Sequence, residues 1–498
     1  MRYVRVPTEI GSKDLRGEDF CFSPGRYVRF VPPTKLGSSS EFAPLDQLVT
    51  VRDETVKIKK GDTYRYAEIG DIDVDTGGVA FREVKGFRLP TDRPQRVKNK
   101  DVLISTVRTY RKGIGIVTDK DGSDLVATKA ILTLSGVTDY AKGLSLPYIF
   151  AFLRTEFFVE QVWSLLHRGV YPRMDTGALG RIHIPIARDP RVCAYIAALA
   201  EAIAEKECAV RKRNDLILAL IGSELTDKQT TKDFSYEYPK LSEVRGRARF
   251  DAAIYGKEYK SKIWLVSNYA RGYRTPTKAG FVIKPGPSLE IKILKTRIDS
   301  ETRKPGFYTL LIPANISEFG TMSKVTWLGT AKKLPLLRRG DILFGEAGFR
   351  KGRTIVLIDE PGNATTNAHG LYARRDDGDI AESIFFRCIF HWYRKMRLID
   401  LMAVGGSGGH FSPEYFDNLL IPNFPADLKE RIVKLYHCPA QGADVPVSLA
   451  GFVEHHRSRN AGLGIWELAS DMSTLEAELS SILENVIQGR AVDVPLSG

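Results

Sequence analysis

Two clusters of basic residues occupy matched places in the sequence and carry side chains suited to binding DNA. The members are Arg108, Tyr110, Arg111 and Lys112 in the first cluster, and Arg350, Lys351 and Arg353 in the second. Lysine and arginine contact phosphates, and arginine also forms paired hydrogen bonds with a guanine edge. Each cluster falls where two short strands are predicted to turn. Two DNA-reading surfaces are one interpretation, and two solvated hairpins are the other.

Further loops carry residues of the same kind. These loops are HRGVYPR with Arg168, Tyr171 and Arg173, VGGSGGHF with His410, and RGYRTPTK with Arg271 and Arg274. The first two precede an Ile-Pro pair by 12 to 18 residues, and their glycines allow close backbone approach to a ligand. A flexible tether is the alternative for those two loops. For RGYRTPTK and for the lysine-rich run 57–60, a solvated surface is the default interpretation.

The sequence offers little catalytic chemistry. Asp75, Glu83 and Lys85 have a spacing that could hold Mg²⁺ and activate water, as in nucleases, but the second copy described below lacks it, so chance is the alternative. The sequence contains no phosphate-binding GxxxxGK[ST], no HExxH, no GxSxG and no methyltransferase tetrapeptide Asn/Asp-Pro-Pro-Tyr. We therefore expect no catalytic residues and no metal ligands in this chain.

Length and composition narrow the class of protein. A chain of 498 residues suggests two to four domains. Hydrophobic residues make up 43% and charged residues 27%, which is the composition of a folded chain rather than a disordered one. The net charge of +13 and the pI near 9.3 fit an anionic partner such as nucleic acid, but many ordinary soluble proteins carry as much charge.

Cysteine usage and the N-terminus favour a cytoplasmic location. The five cysteines form no Cys-x-x-Cys pair, which argues against a structural zinc site and a disulfide framework. The first residues are charged and lack the apolar core of a secretory signal. No apolar run reaches the roughly 18 residues of a membrane span, so we expect no membrane partner.

The sequence contains an internal duplication. Asp101 in KDVLISTVRTYRKGIGIV matches Asp341 in GDILFGEAGFRKGRTIVLI, an offset of 240 positions. GRIHIP and DNLLIP match at an offset of 237, and TYRYAEIGDIDVDTGG loosely matches FYTLLIPANISEFG at an offset of 244. Anchors in one order with nearly constant offsets indicate that one module is written twice.

Each copy predicts an α+β fold. Short apolar runs such as VLIST and ILFGEAG, bounded by glycine and charged residues, predict strands, and 146–166 and 380–402 predict helical stretches. After Pro190 apolar residues recur at heptad spacing through 190–222, with Lys206 and Arg213 in seam positions. Heptads recur through 462–488, which is acidic. We expect the two long helices to pair, and the alternative is that each helix covers its own domain. We also expect a short helix at 426–437 and an elbow or small insertion at 438–461.

This arrangement resembles the specificity subunit of type I restriction–modification enzymes. TYRYAEIGDIDVDTGG is similar to the family's early Y-x-Y-I-x-I-G-D-I-D segment, and KDVLISTVR and GDILFGEAG resemble its G-D-I-L-I-S strand. GALGRIHIPI and EYFDNLLIPNFP resemble the L-x-x-I-x-I-P-x-P exit into a helix, and RARFDAAIY resembles R-x-D-A-x-Y. The first copy departs at its start, LRGEDFCF, and the second helix is interrupted.

The resemblance implies a fold and a function. It implies a target recognition domain at 1–188, a spacer helix at 189–225, a second recognition domain at 226–425 and an interrupted spacer region at 426–498, with the helices paired as an antiparallel coiled coil. Each domain would read one half of a bipartite, asymmetric site in double-stranded DNA. Two methyltransferase subunits and restriction subunits would be partners and would carry S-adenosylmethionine, ATP and Mg²⁺, with no cofactor in this chain.

Two alternatives belong to other classes. One is a self-contained site-specific nuclease that uses Asp75, Glu83 and Lys85. The other is a DNA-binding scaffold of a phage-defence assembly, which would not read sequence.

Overall fold

The computed structural model describes residues 2–5, 7–13, 27–33, 38–119, 125–165, 173–174, 176–247, 249–347, 351–405, 409–439 and 448–496. The chain divides into two compact units. Unit 1 comprises Met1–Ala209, Gln441–Ala461 and Leu468–Gly498, and unit 2 comprises Val210–Ala440 and Gly462–Glu467. The division falls inside a long helix.

Unit 1 combines short strands with a few helices. Its strands are β1 (Val4–Arg5), β2 (Arg29–Phe30), β3 (Ser40–Pro44), β4 (Val49–Val51), β5 (Thr63–Ala67), β6 (Arg82–Lys85), β7 (Gln95–Arg96), β8 (Val102–Ser105), β9 (Ile114–Ile116), β10 (Leu125–Ala127), β11 (Ile131–Val137) and β12 (His183–Ala187). Its helices include α1 (Leu45–Leu48), α2 (Leu146–Leu153), α3 (Glu156–Leu165) and the first part of α4 (Pro190–Asp227).

Two four-stranded sheets form the centre of unit 1, in the orders β6-β5-β10-β7 and β4-β11-β8-β9. Strand β8 is buried on both faces, which explains why it is continuously apolar rather than alternating. Val102 and Ile104 join the main core cluster with residues of α2, whereas Leu103 joins a second cluster with Leu125 and Ile131. Two short antiparallel pairs, β1–β2 and β3–β12, complete the sheets formed by the described residues of unit 1.

Unit 2 repeats this plan. Its strands are β13 (Tyr273–Arg274), β14 (Phe281–Pro285), β15 (Ile298–Ser300), β16 (Tyr308–Leu310), β17 (Thr326–Gly329), β18 (Ile342–Gly345), β19 (Thr354–Val356), β20 (Ala364–Thr365), β21 (Gly370–Arg375) and β22 (Ile421–Pro422). Its helices include α5 (Leu241–Arg247), α6 (Lys257–Ser267), α7 (Ile291–Leu294), α8 (Ile380–Lys395), α9 (Leu398–Met402) and α10 (Ala426–Tyr436). Its four-stranded sheets have the orders β14-β21-β18-β19 and β15-β17-β16-β20.

The duplication predicted from the sequence is confirmed by matching strands in the two units. β18 and β19 repeat β8 and β9 at an offset of 240 residues. The parallel pair β16–β20 repeats the parallel pair β5–β10. An arginine contact recurs as well, because Arg154 donates to the Ile114 carbonyl at 3.0 Å and the buried Arg387 donates to the equivalent Thr354 carbonyl at 3.3 Å.

The two long heptad segments form helices that run antiparallel to each other. After α11 (Phe452–Asn460), α12 spans Ile465–Ile487. In unit 1, Tyr195 of α4 donates a hydrogen bond to Glu478 of α12, and Lys206 of α4 forms a 3.0 Å ion pair with Asp471 of α12. The residue numbers of the partners decrease along α12 as those along α4 increase, so the two helices are antiparallel, as predicted.

Helix boundaries depart modestly from the sequence prediction. The stretch predicted at 146–166 is two helices, α2 and α3, and the one at 380–402 is α8 and α9, separated where Arg397 adopts a φ of 61°. α4 extends to Asp227 rather than ending at 222. The region predicted to be an elbow contains helix α11. None of the helices in the described ranges has the length and apolarity needed to cross a bilayer.

Candidate nucleic-acid interface

The first basic cluster lies on a tight turn between β8 and β9 of unit 1. Thr109–Arg111 form a short 3₁₀ turn, flanked by Arg108 at a φ of 52° and Lys112 at a φ of 59°. Such left-handed backbone is costly for residues other than glycine, about 1 to 2 kcal/mol each. The turn is fixed by the buried Thr109 hydroxyl, which donates to the Ser105 carbonyl at 2.7 Å. The strained conformation therefore belongs to a firmly held turn.

The side chains of this turn differ in their exposure and in their contact partners. Arg111 is exposed, and Arg108 and Tyr110 are half-buried. The Tyr110 ring packs edge-to-face on Trp163, which is 52% exposed, with 4.4 Å between ring centroids. Lys112 forms a 2.6 Å ion pair with Glu156. The turn thus presents the exposed Arg111 side chain, which forms no ion pair with a described residue, next in sequence to the half-buried Tyr110.

The glycine-containing loop before β12 meets this turn. Val107 and Arg173 form an antiparallel bridge, and the Met174 amide donates to the Thr106 carbonyl at 2.8 Å. The Arg173 side chain is exposed. Two predicted site regions that are about 60 positions apart in sequence are therefore neighbours. Arg168 and Tyr171 of the same loop lie outside the described residues.

The equivalent turn of unit 2 uses its basic residues differently. Lys351 forms a 2.8 Å ion pair with Asp400, and its side chain is 16% exposed. Arg353 donates to the Ile316 carbonyl at 2.9 Å and lies 3.5 Å from Glu318. Both side chains are therefore engaged in holding unit 2 together. Arg350 lies outside the described residues.

Glu318 remains charged beside Arg353. Burial raises the pKa of this carboxyl group, but hydrogen bonds from Arg394 and Lys395 outweigh burial and hold the pKa well below its usual range. The carboxylate accepts from Arg394 at 2.8 Å and from Lys395 at 2.6 Å. Arg353 therefore faces a carboxyl group whose ionised form is favoured.

His410 occupies the place in unit 2 that Arg173 occupies in unit 1. It forms antiparallel bridges with Ala347 and with Val404, and Ala347 is the counterpart of Val107. The His410 Nδ1 atom lies 3.8 Å from Glu346, and the His369 Nδ1 atom lies 3.1 Å from the same carboxylate. Both imidazoles are more than half exposed. The sequence offered no signal for Glu346 or His369, because only the folded turn brings them to His410.

Arg271 and Arg274 lie beside β22 rather than on the turn. Arg274 forms a 2.5 Å ion pair with Glu382, a buried carboxylate on α8 that also binds Lys429. Arg271 is exposed, and its carbonyl accepts a 3.2 Å hydrogen bond from Asn423. Arg274 therefore anchors β13 to α8, while the Arg271 guanidinium faces solvent.

The residues weighed for nuclease chemistry do not form a metal site with other described residues. Glu83 and Lys85 lie on the exposed edge strand β6, where Glu83 stands opposite Arg65. Asp75 lies in the preceding turn, and its amide donates to Asp73 at 2.8 Å. Within the described ranges, no group of three or more His, Cys, Asp or Glu side chains is placed to hold a metal ion.

Comparison with known proteins gives structural neighbours only. No protein-family model matches the chain, and no curated protein matches it. An HsdS subunit from Thermoanaerobacter tengcongensis is 14% identical, with 92% of this chain and 98% of that chain covered and a TM-score of 0.30. A type I restriction–modification S subunit from M. genitalium is 13% identical, with 93% and 100% covered and a TM-score of 0.42.

A further neighbour comes from a study of complex assembly and conformational transition of the type I R-M system. It is 16% identical to this chain, with 92% of this chain and 100% of that chain covered and a TM-score of 0.32. All three neighbours thus come from type I restriction–modification systems, the class of system that the sequence motifs resemble.

Proposed function

We propose that this chain is a non-catalytic DNA-specificity subunit of a type I restriction–modification complex. Each unit reads one half of a bipartite, asymmetric site in double-stranded DNA. Methyltransferase subunits, two per chain, dock on the helices, and restriction subunits join for cleavage. S-adenosylmethionine, ATP and Mg²⁺ belong to those partners, and the complex works in the cytoplasm.

The observation that carries this proposal is the repeated junction between a turn and a loop. In unit 1 the second residue after β8, Val107, bridges to Arg173 in the loop before β12. In unit 2 the second residue after β18, Ala347, bridges to His410 in the loop before β22. Exposed polar side chains stand at both junctions. A scaffold that presents two separate sets of hydrogen-bonding groups suits two DNA half-sites.

The unlike chemistry of the two junctions supports an asymmetric target. Unit 1 offers the cations Arg111 and Arg173, whereas unit 2 offers Glu346 with His369 and His410. Arginine pairs best with guanine, and a carboxylate accepts from the amino group of cytosine. Identical half-sites are therefore not expected.

The helices supply the spacing in this proposal. α4 contains 38 residues, which corresponds to about 57 Å at the rise of an α-helix. A rigid element of that length suits a fixed gap between the half-sites. The same helices offer long surfaces on which methyltransferase subunits would dock.

The test is to co-express the full chain with the methyltransferase encoded beside it and to map methylated bases across the host genome. A single split, asymmetric motif with a constant gap is the expected result. DNA cleavage by the chain alone, abolished by Glu83→Gln, would favour the nuclease instead. Equal binding to all sequences at every salt concentration would favour a scaffold.

A further inference from the structure

One end of the β6-β5-β10-β7 sheet of unit 1 carries a cluster of cations. The loop before β5 and the loop after β6 are joined there, because the Gly86 amide donates to the Asp62 carbonyl at 2.9 Å and the Phe87 amide to the Lys60 carbonyl at 3.2 Å. The Tyr64 hydroxyl accepts from the Lys59 amide at 3.0 Å. These contacts gather side chains that we name the distal cation cluster of unit 1: Lys57, Lys59, Lys60, Lys85 and Arg88.

These cations are exposed, and none of them forms an ion pair with a described residue. The contrast with nearby cations is clear, because Arg82 pairs with Asp71 at 2.9 Å and Arg96 pairs with Glu54 at 2.7 Å. Phe87 stands among them and is 61% exposed. Unneutralised charges held close together repel each other, so their proximity costs stability unless an anion binds.

Unit 2 repeats the feature at the equivalent sheet end. The Phe307 amide donates to the Lys304 carbonyl at 3.2 Å, and the Tyr308 hydroxyl accepts from the Leu334 amide at 3.2 Å, as Tyr64 does from Lys59. The exposed cations gathered there, likewise without an ion pair to a described residue, form the distal cation cluster of unit 2: Arg303, Lys304, Lys332 and Lys333. The residues differ but the charge recurs.

The cluster of unit 1 lies at the opposite end of β5 from the junction described above. In unit 1, the Thr128 amide donates to the Ala67 carbonyl at the far end of β5, and the Thr106 amide donates to the Ala130 carbonyl. The junction thus adjoins the last residue of β5, and the cluster adjoins the first. A five-residue strand spans about 16 Å, roughly half a helical turn of B-DNA.

We propose that the two distal cation clusters are phosphate-binding surfaces for double-stranded DNA, separate from the base-reading junctions. The inference rests on the proposed function and deepens it. Phosphate contacts position a reader on the duplex without carrying sequence information. The recurrence of charge at equivalent ends, while the residues around it have diverged, fits a role that needs cations rather than particular side chains.

An anionic membrane surface fits less well. Membrane binding by basic surfaces gains from exposed aromatic side chains such as Phe87. The phenylalanine at the equivalent sheet end of unit 2, Phe307, is half-buried under the Lys304 ammonium group, 5.7 Å from the ring centroid. Arg88 likewise lies over the Phe87 ring, 5.4 Å from its centroid. The exposed feature that both ends share is therefore their charge.

The test measures the salt dependence of DNA binding by the full chain, using a mixed-sequence duplex between about 50 and 200 mM salt. Each lost phosphate contact lowers the slope of log affinity against log salt by about 0.9. Lys59→Gln/Lys60→Gln should therefore lower the slope by about 2, and Arg303→Gln/Lys304→Gln should do the same. The methylated motif should stay unchanged in both variants.

The matched control is Lys232→Gln/Lys240→Gln, which removes the same charge from exposed residues between α4 and α5. A distal-cluster variant with the slope of this control would overturn the phosphate-binding surfaces while leaving the proposed function intact. A wild-type chain that binds no DNA would overturn both. Loss of binding to phosphatidylserine vesicles, with the DNA slope unchanged, would assign the clusters to membranes instead.

Discussion

Lys206 of α4 reaches Asp471 of α12 from a position with no exposed surface, at 3.0 Å between Nζ and Oδ2. It also donates to the Asn460 side chain at 2.8 Å. The position is a heptad seam position, where apolar residues are usual. A polar residue buried in a helix seam fixes the register of the pair at a cost in stability.

This pair should respond unequally to loss of its two members. Asp471→Ala should lower the free energy of unfolding by about 3 kcal/mol, because it leaves a buried ammonium without its counterion. Lys206→Met should cost less than about 1 kcal/mol, since Asp471 keeps Arg459 at 3.3 Å. Urea denaturation measures both. The double variant should recover most of the loss, and no recovery would contradict the ion pair's role.

Mild acid should destabilise the chain through two histidines. Burial and the nearby Lys206 charge lower the pKa of His456 to about 4, and burial with Arg387 lowers the pKa of His391 well below its usual range. The unfolded chain, with histidine pKa near 6.5, takes up protons that the folded chain excludes. Stability should therefore be complete above about pH 6.5 and fall as the pH drops toward 4.

The measurement is the melting temperature between about pH 7 and pH 5, a window above the range in which carboxylates titrate. His391→Gln/His456→Gln should flatten the decline. His410→Gln, which replaces an imidazole that is 58% exposed, should leave it as in the wild type. A decline that persists in the double variant would assign the effect to other groups.

Substitution of exposed arginines should affect DNA target recognition, whereas substitution of an arginine that contacts other protein groups should affect stability. Arg111→Gln and Arg173→Gln should each weaken discrimination at one half-site by about 1 to 3 kcal/mol without lowering the melting temperature, because both side chains are exposed. Arg353→Gln should lower the melting temperature, because it removes the contacts to Ile316 and Glu318. Methylation mapping and thermal melting give the two readouts. An Arg353→Gln variant with weaker discrimination at a half-site and an unchanged melting temperature would contradict this assignment.

Two equivalent aspartates should act as anchors of their sheets. Asp101 accepts from the Arg52 guanidinium at 3.1 and 2.9 Å, and Asp341 accepts from the Arg374 guanidinium at 2.8 and 2.6 Å. Asp101→Asn and Asp341→Asn should each cost about 3 kcal/mol, since each breaks a buried pair.

Hydrogen exchange should accelerate only in the unit that carries the change. The control is Glu54→Gln, because Glu54 is an exposed partner of Arg52 at 3.6 Å and should matter little. Faster exchange in both units would show that the aspartates do not act locally.

Local patterns accounted for most of the architecture. VLIST and ILFGEAG predicted β8 and β18 because a buried strand must be apolar throughout, and heptads predicted α4 with Lys206 in its seam. The break between α8 and α9 at Arg397 escaped prediction because it depends on one left-handed residue inside a helical pattern.

Roles set by distant residues could not be read from spacing. Lys351 and Arg274 carry the charge expected of DNA contacts, yet their ion-pair partners Asp400 and Glu382 lie 49 and 108 positions away. Conversely, the sequence alone indicated only an ordinary solvated surface for the lysine-rich run at 57–60. Only the folded loops show that it joins Lys85 and Arg88 in one cluster.

The arginines that bind Asp101 and Asp341 come from non-equivalent strands, which constrains how segments can be exchanged between the two units. Arg374 lies within β21, whereas Arg52 follows β4, far upstream of the block that begins before β8. Recombination that moved 337–375 into unit 1 would carry its own counterion. The reciprocal transfer of 97–137 would place Asp101 in unit 2 without its arginine partner, because Ser135 occupies the position that corresponds to Arg374. New specificities built by shuffling these blocks would therefore arise more readily in one direction than in the other.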